Sequence, residues 1–121
     1  MRVLVTTTPT YGSFHPIVPL ARALIIAGHD VRVAGPEPFR AAVEAAGLSF
    51  APAGSAEIPP DLIAELAAAR PNAPLRSRLM LTRVMMGIQP RAIVPDLRAL
   101  MDRWEPDVLL RGHLVYGAYI A

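Results

Sequence analysis

The side chain best suited to chemistry in this chain is a histidine in the turn after the first apolar run. Thr7-Thr8-Pro9-Thr10-Tyr11-Gly12-Ser13-Phe14-His15-Pro16 leads into the apolar stretch Ile17-Val18-Pro19-Leu20-Ala21. In an open α/β sheet, the turn between a first strand and its helix lies at the strand ends that present ligands. Pro16 suits the first helical position, where its missing N–H has no intrahelical partner to lose. His15 is then expected as the cap residue, with the positive end of the helix dipole at its ring. A positive field disfavours imidazolium, leaving a neutral ring able to accept a proton. That describes a general base; a histidine that only caps the helix would look the same.

Other chemistries find less support. A dinucleotide site needs Gly-x-Gly-x-x-Gly in the first turn and an acid at the end of strand two. The turn contains only Gly12, the second strand ends Ala34-Gly35-Pro36, and the nearest acid is Glu37, beyond the proline. A phosphate-binding Gly-Lys-Ser/Thr loop is excluded because the chain has no lysine. With no cysteine there is neither a disulfide framework nor a thiolate metal site. The three scattered histidines lack metal-ligand spacing. No metal and no cofactor is expected.

Charge says little about partners. The pI is near 9.7 but the formal charge is only +2, and all basic residues are arginines spread along the chain. Nucleic-acid binding would call for a clustered basic face with aromatic platforms, so no nucleic-acid partner is expected. Met1-Arg2-Val3-Leu4-Val5 is too short an apolar run for a signal peptide. No stretch reaches the ~18 apolar residues of a membrane span, and a cytoplasmic location is expected.

The elements that must position His15 are read from periodicity. At 121 residues and 53% hydrophobic composition, the chain suits one globular domain. Val3–Thr7 reads as a buried strand, short, β-branched and apolar, and Asp30–Ala34, Leu48–Pro52 and Pro106–Arg111 read as three further strands. Pro16–Ala27 reads as a helix closed by Gly28, and its single charge, Arg22, leaves both faces apolar. Phe39, Ala42, Val43 and Ala46 mark a second helix stopped by Gly47.

The middle of the chain is less regular. Asp61–Ala69 reads as a helix, and Arg70-Pro71-Asn72-Ala73-Pro74 as a mobile, breaker-rich link. A Met-rich helix comes after it, with Leu79, Met80, Val84 and Met85 among its apolar positions. Pro90 and Pro95 are expected to interrupt the next stretch, before a helical face of Ile93, Leu97, Leu100, Met101 and Trp104. Tyr116–Ala121 reads as the first turns of a helix that stops without a cap, the ending expected of an interrupted domain. Alternating strands and helices predict a Rossmann-like, doubly wound parallel sheet of order 3-2-1-4. Loops 8–15 and 112–115 would then border one crevice, bringing His15 and His113 together. His29 falls at the opposite end of the sheet and reads as structural.

Three segments carry a family resemblance: Gly12–Leu24, Ala27–Ala34 and Trp104-Glu105-Pro106-Asp107-Val108-Leu109-Leu110. In this order and at these separations the chain resembles the N-terminal half of GT-B glycosyltransferases. The likeness is to the bacterial antibiotic and macrolide type, related to UDP-glucuronosyltransferases. It spans residues 1–121 and implies an acceptor-binding domain whose nucleotide-sugar partner domain is absent. The implied reaction is an inverting transfer of a sugar from a nucleotide donor to a hydroxyl of a small lipophilic acceptor. His15 would take the acceptor's proton, and the isolated chain would be inactive.

Thr10, Tyr11, Gly12, Ser13, Phe14 and His113 are the implied acceptor contacts. Met80, Met85 and Met86 would form an adaptable apolar wall, although methionine at helical spacing is also ordinary core. The family often carries an Asp or Glu just after the fourth strand to orient the histidine, and that position here is Gly112. Asp107 lies at the wrong end of the strand to substitute. His15 is then expected to act without a carboxylate, or to be held by water, Thr7 or His113. The same elements, read without the resemblance, describe a stand-alone Rossmann-like binding or regulatory module, with a homodimer as one form it could take.

Overall fold

The computed structural model describes all residues, Met1–Ala121. Four parallel strands form one sheet: β1 (Arg2–Thr6), β2 (Asp30–Gly35), β3 (Ser49–Pro52) and β4 (Val108–Arg111). Their order is β3-β2-β1-β4, as the alternation of strands and helices predicts. The register aligns Val3 with Val31 and Val108, and Thr6 with Ala34 and Arg111. The strands therefore end nearly level, and their exit loops crowd one edge.

Period-two alternation divides β1 between two cores. Val3 and Val5 point to one face with Phe14, Ala21, Val31, Val33, Phe39 and Val43. That face is covered by α1 (Tyr11–Phe14), α2 (Ile17–Ile26) and α3 (Arg40–Ala45). Leu4 points to the other face, among Ala34, Ala51, Leu97, Leu100 and Trp104. A smaller cluster, Leu62, Leu66 and Val84, joins α4 (Pro60–Ala68) to the segment Met80–Ile88. That segment continues from α5 (Ala73–Leu79) and leads into α6 (Gln89–Trp104). On the Leu4 face, α6 lies on the sheet together with a 3-10 turn at Tyr116–Tyr119. Burying a side chain such as Leu4 or Leu97 contributes about 1.5–3 kcal/mol.

Helix ends obey local chemistry. Gly28 and Gly47 take φ of +89° and +78°, closing α2 and α3 as left-handed caps. Glu105 does the same after α6 at φ 48°, and Pro106 prevents the helix from continuing.

Several expectations need correction. The first turn is not a plain loop. The Thr10 carbonyl accepts from Ser13 and Phe14, the Tyr11 carbonyl accepts from His15, and one helical turn, α1, forms there. His15 is consequently the C-cap of α1, and Pro16 rather than His15 caps α2. The breaker-rich stretch 70–74 is not merely a link. Asn72 Oδ1 accepts from the Leu75 N–H at 3.1 Å and caps α5, with Pro74 in its first turn.

The Met-rich segment Met80–Ile88 is wound as a π-helix, with the Gln89 N–H reaching back to Val84. The two prolines do not break α6. Pro90 occupies its first turn, and Pro95 sits inside it on an exposed side. Exposed Arg91 shares that side, so water can take the carbonyl that Pro95 leaves without a partner. Tyr116–Tyr119 forms a 3-10 turn instead of an α-helical one. Gly117 there presses on α6 so closely that a Cβ would overlap Ile93 Cγ2 and lie 3.1 Å from Pro90 Cα.

Candidate functional site

The carboxyl edge of the sheet holds a cleft at the β1/β4 switch point. Thr7, Thr8 and Pro9 leave β1 along one side, and Leu114, Val115, Tyr116 and Gly117 return from β4 on the other. Pro36 and Gly54–Ser55 contribute from the exits of β2 and β3, and Gln89, Pro90 and Ile93 close the third side from α6. The enclosed void is about 20 Å³, room for about one water molecule, so a larger ligand must occupy the mouth.

Thr7 and Thr8, on the β1 side, follow a third threonine, Thr6. Thr6, Thr7 and Thr8 are all buried, and no buried side-chain polar atom of the chain lacks a partner. Thr6 faces β4, its hydroxyl receiving the Gly112 N–H at 3.3 Å. The Thr7 hydroxyl donates to the Thr8 carbonyl at 3.0 Å, and no hydrogen bond joins it to His15. Thr8 Oγ1 lies 3.2 Å from Thr10 Oγ1, which in turn donates to Ser13 Oγ at 3.0 Å. This hydroxyl chain runs from the cleft wall into α1.

His15 closes α1 at the surface. Its N–H donates to the Tyr11 carbonyl at 2.8 Å, and its ring lies 5.3 Å from the Tyr11 ring and 6.3 Å from that of Phe14. The residue is exposed, and neither ring nitrogen bonds to another residue of the chain. Both nitrogens are thus open to a ligand. His15 does not line the cleft, whose β1 side is Thr7, Thr8 and Pro9.

The remaining expected contacts divide. Thr10, Tyr11 and Gly12 are exposed and Ser13 half-buried around the same turn. Phe14 is only 2% exposed and meets Phe39 edge-on at 5.3 Å, so it belongs to the core that supports the turn. His113 is exposed, but the cleft wall begins at the next residue, and no contact joins it to His15. Met80 packs half-buried on the Leu62–Leu66–Val84 cluster, Met85 is half-buried, and Met86 is 55% exposed. None of the three lines the cleft, whose α6 side is built instead from Gln89, Pro90 and Ile93.

Gly112 has a specific steric role. Its N–H donates to the Thr6 carbonyl at 2.9 Å, extending the β1–β4 ladder by one rung. A Cβ at this position would overlap that same carbonyl oxygen, so no carboxylate can stand there while the ladder holds. Asp107 lies at the opposite end of β4, where its carboxylate receives the Arg2 N–H at 2.7 Å. His29 is at that far end too, with Nδ1 3.3 Å from the N-terminal ammonium.

Glu37 lies just beyond β2. A hydrogen bond from Arg40 holds Glu37 below the usual glutamate range, and the same bond raises Arg40. No group of three His, Cys, Asp or Glu residues could hold a metal ion. No helix is long and apolar enough to cross a membrane.

Comparison with known proteins adds the family. Residues 22–121 match the family model described as erythromycin biosynthesis protein CIII-like, N-terminal domain. The L-demethylnoviosyl transferase of Streptomyces niveus is 36% identical over 110 residues, covering 91% of this chain and 28% of that protein. The glycosyltransferase SsfS6 of Streptomyces sp. SF2575 superimposes with a TM-score of 0.69 at 32% identity, covering 92% of this chain and 33% of that one. The glycosyltransferase VinC, solved with DTDP, gives a TM-score of 0.71 at 27% identity over 97% of this chain and 30% of its own. The chain spans about a third or less of the length of these relatives. It belongs to the erythromycin biosynthesis protein CIII-like N-terminal domain family, and its fold is that of the N-terminal part of GT-B glycosyltransferases of the macrolide and antibiotic type.

Proposed function

We propose that this chain is the acceptor-side domain of an inverting glycosyltransferase with His15 as its general base. The observation that carries the reading is an exposed imidazole, free of intramolecular partners, on the turn that leaves β1 at the carboxyl edge of the sheet. The acceptor is a small lipophilic alcohol. Its hydroxyl oxygen attacks the anomeric carbon of a nucleotide sugar while His15 takes the hydroxyl proton. The bond from that carbon to phosphate breaks, and the nucleoside diphosphate leaves with the bonding electrons. General-base assistance of this kind is worth about 10²–10⁴-fold in rate.

The donor is bound by a second, C-terminal domain, facing His15 across an interdomain cleft. That VinC was solved with DTDP supports a nucleoside-diphosphate sugar as donor. Because Gly112 excludes a carboxylate, His15 works with water, not an acidic side chain, at its second nitrogen. Thr10, Tyr11, Gly12 and Ser13 offer the acceptor contacts nearest the base.

Titrating the chain with macrolactone and polycyclic alcohols while monitoring its histidine ring signals by NMR tests the binding half of this reading. The His15 signals and the amides of 114–117 are expected to move together at one affinity. Movement of neither group across the series would overturn it.

A further inference from the structure

We propose that Arg111 is a positioning residue that latches segment 112–119 into the wall of the acceptor cleft and thereby sets which acceptors fit. This rests on the acceptor-side reading above. Arg111 is the last residue of β4, and alternation turns its side chain to the Leu109 face of the sheet, beneath the returning segment. Its Nη1 donates to the carbonyls of Gly112 at 3.2 Å and His113 at 2.7 Å. Its Nη2 donates to the Tyr119 hydroxyl at 2.9 Å, and its Cζ lies 4.2 Å from the centre of that ring. One guanidinium therefore grips both ends of the segment whose middle, Leu114 to Gly117, lines the cleft.

The choice of residue matters. Arg111 forms no salt bridge, so its bonds are to neutral oxygens alone. A flat fork with several fixed donors can bond two carbonyls and a hydroxyl while stacking on a ring; an ammonium group cannot. Within the segment, isolated backbone bonds such as Val115 N–H to the Gly112 carbonyl at 3.1 Å act beside the buried side chains of Val115 and Ala118. Gly117 rests directly on Ile93 and Pro90 of α6, so release of the segment would move the wall away from α6 and widen the cleft. Arg111 itself does not line the cleft and acts through the wall.

The test uses the 121-residue chain with Arg111→Lys and Tyr119→Phe variants. Lysine keeps the charge, and phenylalanine keeps the ring while losing the oxygen. Tyr119 is 74% exposed, so its variant leaves the core intact. Amide exchange of residues 114–118 is expected to speed up about tenfold in Arg111→Lys and about threefold in Tyr119→Phe, with the unfolding midpoint of the latter unchanged. In parallel, affinity for a size-graded series of lipophilic alcohols is expected to lose its size discrimination by similar factors. Wild-type exchange and wild-type size discrimination in both variants would overturn the latch. Should Arg111→Lys fail to fold, Tyr119→Phe decides alone. Should the wild-type chain bind none of the alcohols, the acceptor reading falls, and the exchange rates still judge the latch.

Discussion

Replacing Gly112 with alanine is expected to loosen the junction of β1 and β4. The added Cβ overlaps the Thr6 carbonyl oxygen, which is backbone and cannot rotate away. Either the Gly112 N–H to Thr6 bond at 2.9 Å opens or the strands move apart. The bond is worth about 1 kcal/mol, and forcing a methyl group into a packed site costs about 1–3 kcal/mol. Together these give a loss of about 2–4 kcal/mol, a large share of the ~5–15 kcal/mol typical of a domain. For a chain of this size the midpoint should fall by roughly 10 °C, read by circular dichroism on heating. Gly12→Ala is the control, since a Cβ there meets nothing within 4 Å. A fall below about 3 °C for Gly112→Ala would refute the steric argument, and with it the claim that position 112 cannot carry a carboxylate for His15.

Packing and charge set two further outcomes. Leu97 is fully buried between α6 and the sheet, so Leu97→Ala should lose about 2–5 kcal/mol in urea unfolding; a loss under about 1 kcal/mol would contradict the core assignment. Glu37 has its folded pKa lowered by Arg40, so the pair's contribution is present above the ordinary glutamate range and is lost as pH falls through the lowered value. The difference in midpoint between wild type and Arg40→Gln should shrink below about pH 4, and a difference constant from about pH 7 to about pH 3 would contradict it.

Strand order was legible because it rests on strong local signals. Four short strand-like runs separated by helical stretches leave few topologies, and Gly28 and Gly47 stop helices through backbone conformation alone. The features that stay hidden in the sequence depend on contacts between distant residues. Pro95 looks like a helix breaker in sequence, yet the packing of Ile93, Leu97 and Leu100 against the sheet outweighs one missing hydrogen bond. The π-helical winding of Met80–Ile88 leaves the same apolar residues on the inner face that an α-helix would, so periodicity does not reveal it. The α6 wall of the cleft appears only once Gly117 has settled on Ile93. Pro36 and Gly54–Ser55 could have been found, since they lie directly beyond the ends of β2 and β3.

The proposed chemistry turns on the His15 ring taking a proton from an acceptor hydroxyl. The most direct measurement is sugar transfer by a polypeptide joining this chain to the nucleotide-sugar domain of a relative, with and without His15→Ala. A fall in kcat of about 10²–10⁴-fold is expected, with the acceptor KM changed little. A kcat within about tenfold of the parent, at any pH between about 6 and about 9, would contradict a general-base role for His15.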